Sequence, residues 1–145
     1  MRVALTLAFL MTASAASAEH RDAQQVVTHH VAAMKAAALD NIMSDYAVDA
    51  VVVTPPGLMP PPQASDQRGV FSGRQAARAV FAHLTNSDNI AGIRAMETRI
   101  EPLNDNVTIL HWTQFRGTPN QVAGHDLFVV HNGKITLQDI VVETP

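Results

Sequence analysis

The chain has 145 residues, no cysteine, and ten Lys+Arg against thirteen Asp+Glu, a formal net charge of −3 with its seven histidines neutral. That balance leaves no basic stripe for nucleic acid to read. The missing cysteines exclude disulfides, thioether-attached haem and thiolate nucleophiles, so stability rests on packing alone.

The first segment, "MRVALTLAFLMTASAASA", has one basic residue, Arg2, an apolar run from Val3 to Met11, and small residues ending Ala16-Ser17-Ala18. A charged start, a short hydrophobic middle and an A-x-A ending describe a secretory signal peptide over residues 1–18. The run is too short for a membrane anchor, which needs about 20 apolar residues. The expectation is export to the periplasm or beyond, cleavage before Glu19, and no membrane attachment afterwards. Residues 19–145, 127 in all, suit a single domain with one core.

From Arg21 to Leu39, Val26, Val27, His30, Met34, Ala37 and Ala38 recur at spacings of three and four, which predicts a long helix with one buried face. A second short helix is expected over Ile42 to Tyr46. Asp49 to Pro55 is β-branched and stops at proline, so it reads as a strand. Pro55 to Gln67 holds five prolines and Gly57 and is a long loop, a candidate lid. Ser72 to Leu84 is a further helix with Ala76, Val80, Phe81 and Leu84 on its apolar side. Strands follow at Ile93–Leu103, Val107–Arg116, Val122–His131 and Ile135–Val142, with turns at 104–106, 118–120 and Asn132-Gly133. Helices first and hairpin strands afterwards specify an α+β fold with an antiparallel sheet, one face covered by helices. A curved sheet closing over a helix leaves an apolar pocket suited to a small hydrophobic molecule.

The order helix, "SDYAVDAVVVTPPG", "FSGRQAARAVF" and hairpins ending "FVVHNGKI" resembles the nuclear transport factor 2-like superfamily, in its SnoaL-like and ketosteroid isomerase-like branches. The resemblance covers nearly all of residues 19–145. It implies a cone, a strongly bent antiparallel sheet wrapped around a long N-terminal helix with two shorter helices, and a pocket between them. It also implies dimerisation through the outer sheet face and isomerase, cyclase or hydratase chemistry without a cofactor. In ketosteroid isomerases a helix tyrosine and a late-strand aspartic acid polarise the substrate oxygen, and a second aspartate before a proline moves the proton. Those positions fall here on His30, Asp126 and Thr54. A threonine hydroxyl is too weak a base to take a carbon-bound proton at neutral pH, so ketosteroid isomerisation by that route is disfavoured.

Asp126 and His30 are therefore the candidate acid/base pair. Strand alternation puts Asp126 on one face with Phe128 and Val130, and burial there would raise its pKa. The alternative is a structural carboxylate that pairs or caps. Histidine titrates near neutrality, which suits a partner for Asp126, although a helix histidine beside a sheet is more often a core residue. Tyr46, Thr54, Phe128 and Gln138 are further candidate ligand contacts. So are His111 and Trp112, only one of which faces inward. The histidines lack metal-ligand spacing, so no metal is expected. A non-catalytic small-molecule-binding or dimeric partner-binding domain on the same cone is the alternative function.

Overall fold

The computed structural model describes residues 21–60 and 67–143. The expected signal peptide and residues 61–66 of the proline-rich loop lie outside them. Helix α1 spans Ala23–Lys35 and α2 spans Leu39–Ser44. Strand β1 spans Tyr46–Thr54, β2 Gly69–Ser72, α3 Arg74–Leu84 and α4 Ile90–Arg94. Strands β3 (Glu97–Asn104), β4 (Val107–Gln114), β5 (Val122–His131) and β6 (Lys134–Glu143) complete the chain. They form one curved, open six-stranded sheet in the order β2-β1-β6-β5-β4-β3, with β2 and β3 as its edges. The α+β cone expected from the sequence is the architecture observed.

Local chemistry explains the element ends. Asp22 caps α1 by accepting from the Gln25 amide at 2.8 Å, while the Gln25 side chain accepts from the Asp22 amide at 3.0 Å, a reciprocal capping box. The helix stops at Lys35, four residues before the sequence pattern predicts. Ala37 turns left-handed at φ 53°, its amide bonding to Met34 O and that of Ala38 to Ala33 O. That is a Schellman ending built on alanine rather than glycine, so the usual stop residue is missing from the sequence.

Four further boundaries differ from expectation. Tyr46 opens β1 instead of closing the second helix. The short edge strand β2 falls between the loop expected to end at Gln67 and the helix expected to start at Ser72, and four residues are too few to show alternation. A single-turn helix, α4, occupies Ile90–Arg94, so β3 begins at Glu97 rather than Ile93. Finally, the one parallel pair in an otherwise antiparallel sheet is β1 with β6. No hairpin joins those strands, since two helices and four strands separate them in the chain, so turn geometry does not fix their direction.

Even-numbered residues of β4 and β5, and Gln138 and Ile140 of β6, face the helices. Leu110 stands beside Asp126, and Asp126 beside Ile140. Val52 pairs with Gln138, and Gln138 with Phe128. α1 lays Val26, Val27, His30, Ala33 and Met34 against this face, and α3 adds Ala77, Val80 and Phe81. Burying one such large apolar side chain is worth about 1.5–3 kcal/mol. Outside the core, the buried Asp45 carboxylate receives Arg21 at 3.0 Å and His29 at 2.7 Å, tying the entry of α1 to the start of β1.

Candidate functional site

Where the helices lift off the sheet a hollow of about 80 Å³ remains. His30 and Met34, one helical turn apart on α1, form one wall, and Phe81 and Leu84 of α3 another. Ile93 and Met96 enter from α4 and the joint after it, Leu58 from the proline-rich loop. The sheet supplies Leu110, Trp112, Asp126, Gln138 and Ile140. Leu58 is where the sequence places an apolar contact from the candidate lid; Met34, Ile93 and Met96 were not singled out as contacts. Met34 stood on the same helical face as His30, and that spacing was the available signal. Ile93 was hidden by its reading as a strand residue.

Asp126 is 7 % exposed, and both carboxylate oxygens are engaged. Trp112 Nε1–H donates to Oδ1 at 2.8 Å and the Gln138 amide donates to Oδ2 at 2.7 Å. The Tyr46 hydroxyl donates to Gln138 Oε1. This chain of bonds fixes the sense of the Gln138 amide, whose oxygen takes the Tyr46 proton and whose nitrogen faces the carboxylate. Burial first, then the charges of Asp126 and Asp45, raise the Tyr46 pKa well above its ordinary 10.0, so the phenol keeps the proton it donates.

Burial pushes the Asp126 pKa up from 3.8 to about 6, while the Trp112 and Gln138 hydrogen bonds pull it down. Both neighbours are donors, which suits an ionised carboxylate and leaves lone pairs free for a visitor. Asp126 is thus arranged to accept protons, the reverse of the donating aspartic acid that the resemblance implied.

His30 is 2 % exposed and sits edge-on to Tyr46, Phe81 and Phe128, with ring centroids 5.3–5.6 Å apart. Its Nδ1 is buried without a hydrogen-bond partner. Burial lowers its pKa from 6.5 to about 4, so the ring is neutral at physiological pH. An orphaned acceptor costs less than an orphaned N–H, which favours the tautomer with its proton on Nε2.

The structure therefore brings His30, Trp112, Asp126 and Gln138 together on the walls of the hollow. Other expected contacts are not there. Tyr46 stands behind Gln138, and Phe128 packs under His30 in the core. Thr54 is fully buried with its hydroxyl unpartnered, away from the walls. His111 is on the opposite sheet face, bonded to Glu101 at 2.8 Å, because alternation allows only Trp112 inward. Gly124, also overlooked, lies opposite Trp112. A Cβ there would fall 2.4 Å from the indole Cζ2, so the bare backbone lets Trp112 lean over β5 towards Asp126. Among the described residues no cluster of three or more His, Cys, Asp or Glu could hold a metal ion. None of their helices is long and apolar enough to cross a membrane.

A curved open sheet, helices on its inner face and one buried carboxylate in an apolar hollow define the nuclear transport factor 2-like class. The sequence profile of the SnoaL-like domain matches residues 27–138, and the chain belongs to that family. Similar solved structures include an NTF-2 like protein of unknown function from Burkholderia xenovorans LB400, 19 % identical, covering 84 % of this chain and 83 % of its own, at TM-score 0.61. An NTF2-like protein of unknown function from Mesorhizobium loti is 16 % identical, covering 83 % and 90 %, at TM-score 0.59. TerC, co-crystallised with polyporic acid, is 16 % identical, covering 83 % and 90 %, at TM-score 0.60. No match is found among curated proteins.

Proposed function

We propose that this domain binds a small, largely apolar molecule in the hollow and anchors its polar group on Asp126. The observation carrying this reading is a carboxylate with both oxygens held by neutral donors in a cavity otherwise walled by aliphatic, thioether and aromatic groups. A volume of about 80 Å³ suits a head of a few heavy atoms, since benzene occupies an engineered cavity of about 150 Å³. The co-crystallisation of TerC with polyporic acid supports small-molecule uptake by this fold. The test is native mass spectrometry of gently purified protein beside a Leu84→Trp variant that fills the hollow. Retained small molecules on the wild type alone are expected; equal retention, or none on either, would refute the reading.

A second reading, a cofactor-free isomerase, cyclase or hydratase, is favoured by His30 and Asp126 facing one hollow. Asp126 would take a proton, and the neutral His30 N–H would polarise an oxygen. Exchange of butanone α-protons in D₂O, followed by NMR, tests it. The expected rate rises as pH passes through about 6, the Asp126 pKa, and disappears in Asp126→Asn; identical rates in both proteins would eliminate catalysis by Asp126. Export to the periplasm or outside the cell, supported by the composition of residues 1–18, and a homodimer formed through the outer sheet face belong to the same proposal. The partly exposed outward face, with His111–Glu101 and His125–Glu143 pairs, is the surface a second copy would cover.

A further inference from the structure

The charge pattern of the hollow narrows its occupant. Among the described wall residues Asp126 is the only carboxylate, and none is lysine or arginine. The two cations that bond wall residues from neighbouring elements are both engaged. Lys35 donates to the Met96 carbonyl at 2.6 Å, and Arg68 holds Asp139 and the Ile140 carbonyl. His30 is neutral at physiological pH. Beyond the walls, His125 favours the Asp126 charge and Asp139 opposes it. Trp112 and Gln138 give the carboxylate two neutral hydrogen bonds and no counter-charge. Buried charges in proteins are normally paired, and here the missing partner is a cation.

The walls suit one. Trp112 and Phe81 offer aromatic surface, Met34 and Met96 polarisable sulfur. A carboxylate oxygen accepts two hydrogen bonds, and each oxygen of Asp126 has received one from the protein.

We propose that the hollow takes a small organic cation, a protonated amine on a short apolar body, with its ammonium group against the free lone pairs of Asp126. This rests on the small-molecule-binding reading and specifies the charge of the molecule bound. It predicts discrimination by charge at constant shape: an alcohol of equal size loses the ion pair, and a carboxylate meets like charge without a basic group to offset it.

Trp112 is the sole tryptophan, so its fluorescence and its single indole N–H resonance report directly from the site. The probes are n-butylamine, 1-butanol and butyrate, titrated separately at about pH 8 and about pH 5, either side of the Asp126 titration near 6. At the higher pH butylamine should bind about tenfold or more tighter than butanol, with butyrate weakest. At the lower pH Asp126 gains its proton and the amine should lose about tenfold in affinity, while butanol is unchanged. Asp126→Asn, checked for cooperative unfolding, should show no preference at either pH; if it fails to fold, the pH comparison on the wild type decides. Butanol equal to or tighter than butylamine at the higher pH, or a preference for butyrate, would overturn the inference and leave the binding reading intact. An amine preference that survives at the lower pH places the cation elsewhere and also overturns it. If all three probes leave Trp112 unperturbed, the inference and the binding reading fall together.

Discussion

Asp126 and His30 sit in one hollow and answer protons in opposite directions. The Asp126 pKa is raised to about 6 in the folded state, so its contribution to stability is fully present below about 4 and is lost as pH rises through about 6. The His30 pKa is lowered to about 4; its contribution is present above about 6.5 and is lost as pH falls through about 4. Each is worth roughly 3 kcal/mol at full extent, and over the window from about 4 to 6.5 they largely cancel. Replacing the carboxylate uncovers the histidine. Chemical denaturation across that window should find Asp126→Asn losing about 3 kcal/mol of stability, relative to wild type, between pH ~6.5 and ~4; parallel curves would mean that Asp126 titrates as it does in water. Tyr46 acts on the same carboxylate through Gln138. Tyr46→Phe leaves the buried Gln138 oxygen without its donor and frees the amide to turn that oxygen towards Asp126. The expected outcome is about 1–3 kcal/mol of lost stability and an Asp126 carboxyl titrating above its wild-type pKa in a carbon-13 NMR titration.

Two positions on the elements decide how those side chains are presented. On β5, a Cβ at Gly124 would lie 2.2 Å from the Val141 carbonyl oxygen as well as against the Trp112 ring. Gly124→Ala must therefore push the strand or the indole aside. A loss of about 1–3 kcal/mol is expected, together with movement of the indole N–H resonance as its bond to Asp126 lengthens. An unshifted resonance would show that Trp112 does not depend on the glycine. At the end of α1 the expected sign is opposite. Ala37 holds a left-handed backbone at φ 53°, a conformation costing an L-residue roughly 1 kcal/mol or more and glycine very little. Ala37→Gly should stabilise the protein by several tenths to about 1 kcal/mol, read from the urea midpoint.

At the scale of the whole molecule, the export proposal makes a prediction independent of the fold. Expressed in a bacterial host, the protein should be recovered outside the cytoplasm with Glu19 as its first residue, by N-terminal sequencing. Recovery from the cytoplasm starting at Met1 would remove the proposal. The cone itself has a physical logic that the charge reading uses. α1 and α3 cover the inner sheet face but do not fill it, so Asp126 on that face is removed from bulk water without being packed shut.

The apolar periodicities in the sequence specified the α+β class, the helix face carrying Val26, His30 and Met34, and the face of β5 carrying Asp126 and Phe128, because those patterns arise from local geometry of period 3.6 and period 2. The family resemblance, not periodicity, exposed the departure at Thr54. Alternation alone left His111 and Trp112 equivalent; strand pairing chose Trp112. The parallel β1–β6 pair, the single-turn helix that brings in Ile93, and the placement of Thr54 and Phe128 behind the walls depend on contacts between residues far apart in the chain. So does the proton affinity of Asp126: burial and the positions of Trp112 and Gln138 set it, and both exist only after the strands and helices have met.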